Sequence, residues 1–199
     1  MPDTSRIKTA ILISGRGSNM VSIVEAARAH DYPAEITLVI SNKPNALGLQ
    51  KAKALGVQSM AIDHKAFKTR AEFETALDAV LREANIDLIC CAGFMRVLSA
   101  NFVEGWPGRI LNIHPSLLPK YKGLNTHKRA LEAGDSHHGA SVHFVTAELD
   151  GGEVIAQTKI AIRPDDTAQM LADRLLPLEL DIYPKAVDRV AKSLLSGEI

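Results

Sequence analysis

Five short apolar runs, at Thr9–Ser14, Ile36–Ser41, Val57–Ile62, Asp87–Cys91 and Arg109–Ile113, alternate with stretches of helical periodicity. Runs this short that carry little polar alternation suit strands buried on both faces, and two-sided burial arises where helices cover a parallel sheet from above and below. The rhythm therefore fixes the class as α/β, a Rossmann-like doubly wound sheet that is mostly parallel. The third helical stretch is the clearest. Thr69 and Glu72 form a capping box, Phe73, Leu77, Val80, Leu81 and Ala84 fall on one face, and Asn85 closes the helix.

After about residue 138 the pattern changes to strict alternation, Gly139-Ala140-Ser141-Val142-His143-Phe144-Val145, and a second run, Glu153–Ile162, follows Asp150-Gly151-Gly152. The Asp-Gly-Gly turn between them predicts an antiparallel hairpin added to the sheet edge in the C-terminal half. From Asp166 onward the chain reads as helix, with Pro177 and Pro184 expected to kink or divide it. No repeat or long linker interrupts residues 1–199, so a single domain is expected, and 46% apolar residues suffice for one core.

Lys plus Arg and Asp plus Glu are equal at 23 each, so no global field draws the chain to nucleic acid or an anionic membrane. No apolar stretch approaches the roughly 18 to 20 residues that span a bilayer, and the first residues lack a signal-peptide core, so a cytoplasmic location is expected. Cys90 and Cys91 are adjacent in an apolar run and read as buried hydrophobes on opposite faces.

Ser14-Gly15-Arg16-Gly17-Ser18-Asn19 follows the first strand and opens the first helix, where backbone amides are free to meet an anion. Ser18 and Asn19 are placed to cap that helix or donate to a phosphate. The loop is neither a dinucleotide fingerprint, lacking the third glycine, nor a Walker loop.

Asn112 and His114 lie two apart at the end of a strand and share a face at the carboxyl edge, where open α/β sheets place ligands. Pro115 and Pro119 stiffen the exit. An asparagine amide can donate to a carbonyl oxygen as charge develops, and a histidine can move a proton near neutral pH. Asp150 is either a turn residue or a carboxylate that fixes the imidazole and supports charge on it; spacing alone leaves both open. His30 and His64 read as surface residues near turns, His127 as a helix residue, and His137-His138 as preceding the hairpin. No histidine spacing matches a standard zinc pattern, and no metal is expected.

Taken together, Ile13-Ser14-Gly15-x-Gly17-Ser18-Asn19, Ala92-Gly93-Phe94-Met95-Arg96, Leu111-Asn112-Ile113-His114-Pro115-Ser116-Leu117-Leu118-Pro119, Ser141–Val145 and Leu149-Asp150-Gly151-Gly152 resemble the folate-dependent formyltransferases, in order over nearly the whole chain. The Gly-Ser-Asn loop is similar to that of the phosphoribosylglycinamide branch. The resemblance implies formyl transfer from 10-formyltetrahydrofolate to the amine of glycinamide ribonucleotide, with small-molecule partners only and a monomer or homodimer. It implies that Asn112 stabilises the oxyanion, that His114 assists and handles protons, and that Asp150 orients His114.

For the nucleotide, the resemblance points to Gly17, Ser18, Asn19, Arg70 and Glu179. For the folate, it points to Met95, Arg96, Val97 and Leu98, to Asn112, and to Val145, Thr146, Ala147, Glu148 and Leu149. The sequence departs from the usual pattern at Leu176 and Leu180, where similar proteins carry Gln and His, with Pro177 between them, and at Asn125, where His is common. Methionyl-tRNA formyltransferase and formyltetrahydrofolate hydrolase share the Asn-His-Asp chemistry but add domains for which 199 residues are expected to leave no room. A non-catalytic nucleotide-binding module is the alternative of another class, and it has no use for the Asn112, His114 and Asp150 set.

Overall fold

The computed structural model describes residues 6–199. The chain runs β1 (Ile7–Ile13), α1 (Ser18–Ala26), β2 (Ala34–Ser41), α2 (Leu47–Ala54), β3 (Gln58–Ala61), α3 (Arg70–Glu83), β4 (Leu88–Cys91), α4 (Ala100–Glu104), β5 (Ile110–His114), α5 (Thr126–Glu132), β6 (His137–Phe144), β7 (Val154–Ala161) and α6 (Ala168–Ser196). The strands form one sheet in the order β3-β2-β1-β4-β5-β6-β7. The pairs from β3 to β5 are parallel, and β6 pairs antiparallel with both β5 and β7. The order reverses between β1 and β4, and that switch point opens the crevice at the carboxyl edge.

Every apolar run becomes a strand because its side chains divide between two cores. Ile11 and Ile13 of β1, Leu88 and Cys90 of β4 and Leu111 of β5 pack with Met20, Ile23 and Val24 of α1 and with α6. Leu12, Ile89, Cys91 and Ile110 pack with Leu77 and Leu81 of α3, Phe102 of α4 and Trp106 just beyond α4. The adjacent cysteines thus lie in separate cores. Helix α3 starts as its capping box requires, with Thr69 Oγ1 accepting from the Glu72 N–H. The Glu72 carboxylate takes the Lys68 N–H in place of the Thr69 one. Asn85 turns the chain out at a positive φ of 52°.

Two expectations are corrected. Pro177 and Pro184 do not divide the last helix, since α6 runs unbroken over 29 residues. An internal proline costs about 3 kcal/mol, whereas each large apolar side chain buried returns about 1.5–3 kcal/mol. Leu171, Leu175, Ile182, Val187 and Val190 are all buried on this helix. Pro184 is itself buried, and its carbonyl accepts from the Tyr32 hydroxyl at 2.7 Å. The β6–β7 connection is also wider than a tight Asp-Gly-Gly turn, spanning residues 145–153. No described helix is long and apolar enough to cross a membrane.

Candidate active site

Strand β5 ends at the switch-point crevice, and its alternation sends Asn112 and His114 to the same side. The antiparallel register sets His143 opposite Asn112 and Ser141 opposite His114. The connection after β6 then folds back and brings Asp150 to the pair. Asp150 Oδ2 lies 3.4 Å from His114 Nδ1, and its Oδ1 lies 3.6 Å from His143 Nε2. The Gly123 N–H donates to Asp150 Oδ2 at 2.8 Å. The His114 and Asp150 side chains are only 7% and 8% exposed, an arrangement whose desolvation cost a plain turn residue has no reason to carry. Asp150 itself adopts a positive φ of 49°, a conformation that Asp tolerates better than most residues.

His143 is the site residue that sequence reasoning passed over. Burial lowers its imidazole pKa, outweighing the opposing pull of the Phe144 carbonyl and Asp150. The ring is therefore neutral at pH 7, and the 2.7 Å contact to the Phe144 carbonyl places its proton on Nδ1. Nε2 is then an acceptor for the Asn112 amide at 3.2 Å. That bond orients the Asn112 side chain and leaves one amide N–H toward the crevice. The available signal was the alternation of β6, which puts Ser141 and His143 on one face. His114 Nε2 meets the Tyr121 carbonyl at 2.9 Å, so both ring nitrogens of His114 face oxygen acceptors.

The glycine-rich loop corrects another expectation. Neither Ser18 nor Asn19 caps α1; the N-cap is Gly17 at φ 69°, with no side-chain cap. Gly17 is needed because its backbone packs on Gly48, whose Cα would stand 2.9 Å from an added Cβ. Asn19 donates instead to Glu179 at 3.1 Å, tying the loop to α6, while its Oδ1 is buried without a partner. Burial raises the Glu179 pKa against the lowering effect of that bond. Glu179 is thus a half-buried loop partner. Arg70, half exposed at the start of α3, lies 3.9 Å from Glu74. Leu176 and Leu180 are partly buried on α6. Ser14 links the loop to the β4 exit, since its Oγ accepts the Met95 N–H at 2.7 Å and donates to Asn42. Met95 and Val97 are exposed, as are Glu148 and Leu149 in the β6–β7 connection. Lys122 pairs with Glu148 at 2.7 Å.

His30 is exposed as expected, whereas His64 is partly buried against the Asn42 carbonyl at 2.8 Å. His138 is buried inside β6, where it meets His127 of α5 at 2.9 Å. Burial, and then His127, push the His138 pKa down to about 4, and burial lowers that of His127 too. In the unfolded chain each ring takes a proton near pH 6.5. The unfolded state therefore binds protons that the folded state refuses between about pH 6.5 and 4, and stability falls with pH across that window and is flat above it. Chemical denaturation from about pH 8 to about pH 4 is expected to show this loss, reduced in His138→Gln; a flat profile overturns the assignment.

In the comparison with known proteins, residues 7–187 match the formyl transferase family. The chain belongs to the formyl transferase family. Phosphoribosylglycinamide formyltransferase of Haemophilus influenzae is 44% identical over 180 residues, covering 90% of this chain and 85% of that protein. The crystal structure of phosphoribosylglycinamide formyltransferase from Brucella melitensis superposes with a TM-score of 0.90 at 45% identity, covering 94% of this chain and 96% of that one. Trifunctional purine biosynthetic protein adenosine-3 of Gallus gallus is 46% identical over 188 residues, but the chain spans only 19% of its length. The seven-stranded mixed sheet is thus a formyl transferase fold, as the motifs imply.

Proposed function

We propose that this formyl transferase moves the formyl group of 10-formyltetrahydrofolate to the amine of glycinamide ribonucleotide, as a cytoplasmic, metal-independent enzyme of purine biosynthesis. The observation that carries the reading is the buried Asp150 carboxylate set against His114, beside an Asn112 amide that His143 orients. The names of the similar proteins support the choice of substrates.

In this reading the substrate amine attacks the formyl carbon, a C–N bond forms, and the carbonyl electron pair moves to oxygen. The free Asn112 N–H donates to that oxyanion. The proton lost by the amine passes to the His114–Asp150 pair. It is returned, through a water, to the folate nitrogen as its bond to the formyl carbon breaks. Gly17, Ser18 and Asn19 receive the nucleotide phosphate, with Arg70 beside it, and Glu179, held by Asn19, takes the ribose or amine side. The segment Met95, Arg96, Val97 and Leu98, exposed up to the buried Leu98, and the connection Val145, Thr146, Ala147, Glu148 and Leu149 receive the folate.

Purified protein is expected to form formylated nucleotide and tetrahydrofolate from the two substrates in the presence of a chelator. Absence of product from folded protein, or activity restored only by metal, sinks the reading. Formylmethionyl-tRNA formation and folate hydrolysis, run in parallel, are expected to be negligible.

A further inference from the structure

The segment from Phe94 to Leu98 makes no backbone–backbone hydrogen bond among the described residues, although it leaves the centre of the sheet at the crevice. It is held at its ends instead. At the β4 end, Ser14 N–H donates to the Gly93 carbonyl at 3.1 Å, and the Met95 N–H donates to Ser14 Oγ at 2.7 Å. At the other end the anchor is Glu74, a carboxylate on the inward face of α3 that is only 6% exposed. Glu74 Oε1 accepts the Ser99 N–H at 2.8 Å, and Oε2 accepts the Ser99 hydroxyl. Ser99 Oγ in turn caps α4 by accepting from the Phe102 N–H.

A glutamate is among the residues least often buried, and burial of its charge is costly without strong hydrogen bonds. Two bonds to a charged acceptor at a single residue make Ser99 a fixed point, because charge-assisted bonds are roughly twice as strong as neutral ones. Between the two fixed points, just beyond the carboxyl end of β4, Met95 and Val97 are 62% and 57% exposed, while Leu98 is buried. The third contact of Glu74 is Arg70 at 3.9 Å, one turn earlier on α3. That contact is long and its arginine half exposed, so it contributes about 0–1 kcal/mol and leaves Arg70 free, and the strong bonds of Glu74 act on the segment alone.

We propose that Glu74 is a positioning residue for the folate: through Ser99 it stretches Met95–Leu98 into the surface that the folate lies against. This rests on the formyl-transfer reading above. Glu74 does not touch substrate, so its loss reaches the reaction through the placement of the segment.

The test is steady-state kinetics with both substrates varied, beside thermal unfolding. Glu74→Ala is expected to raise the KM for 10-formyltetrahydrofolate by ~5–20-fold while the nucleotide KM and kcat stay within about twofold. Glu74→Gln keeps an oxygen for the Ser99 N–H and is expected to recover most of the affinity, within about threefold of the parent. Ser99→Ala, which keeps the N–H bond and loses the hydroxyl one, is expected to raise the folate KM by ~2–5-fold; with Glu74→Gln it carries the test if Glu74→Ala does not fold. An unchanged folate KM in Glu74→Ala and Ser99→Ala overturns the proposal, as does an equal rise in both KM values. A parent protein that transfers no formyl group overturns the functional reading and this inference with it; an active parent with insensitive variants overturns this inference alone.

Discussion

Replacing Asp150 by Asn is expected to lower kcat by ~10²–10³-fold with little change in either KM, the pattern of a group used mainly in the transition state. The carboxylate faces two imidazoles and one backbone N–H, and only one of the three contacts is a strong hydrogen bond, the 2.8 Å bond from Gly123. An Asn side chain can keep that bond through its amide oxygen, so the backbone at Gly123 stays in place. What it removes is the negative charge 3.4 Å from His114 Nδ1. A proton arriving on His114 from the attacking amine then has no carboxylate beside it. His114→Ala is expected to cost a similar factor, and the double variant little more than either single one, because the two act as a unit. Asn112→Ala is expected to lose ~10²-fold through the oxyanion, independently of that pair. Retention of turnover in both the Asp150 and His114 variants, measured with saturating substrates, removes the pair from the mechanism.

The coupling between these residues was only half legible in the sequence. Asn112 and His114 could be placed together because strand alternation is a local rule, and the same rule put Cys90 and Cys91 into separate cores. The Thr69 cap was legible for the same reason, its bond spanning three residues. His143 was not, since its bond to Asn112 depends on the antiparallel register of two strands 31 residues apart. The Asn19–Glu179 bond joins positions 160 residues apart and reflects how α6 packs on α1, which no local pattern encodes. Pro177 and Pro184 misled because a local penalty was weighed without the burial that offsets it. Glu74 drew no reading at all from the sequence. Its place on the buried face of α3 was readable from the Phe73 and Leu77 spacing, but only the segment packed against that face shows why a carboxylate belongs there.

The second large effect tests how Asp150 is delivered. Gly152 and Gly151 follow it directly, yet they are constrained differently. A Cβ on Gly152 would stand 1.9 Å from the Phe144 carbonyl oxygen and 2.8 Å from its carbon, both backbone atoms of β6. A Cβ on Gly151 would meet Glu148, at 2.5 Å from Cδ, the far end of a side chain that is free to swing away. Moving Glu148 breaks its bond to Lys122, and an exposed ion pair contributes about 0–1 kcal/mol. Moving Phe144 displaces the end of β6 next to His143, whose ring bonds to that same Phe144 carbonyl. Gly152→Ala is therefore expected to destabilise the fold by about 2–4 kcal/mol and, in the fraction that folds, to lower kcat by ~10-fold or more. Gly151→Ala is expected to cost under about 1 kcal/mol with turnover nearly intact. Denaturant unfolding beside single-turnover kinetics separates the two effects. Equal behaviour of the two alanine variants means that contact with the β6 backbone does not set the Asp150 position, and that the Gly123 N–H alone holds the carboxylate against His114.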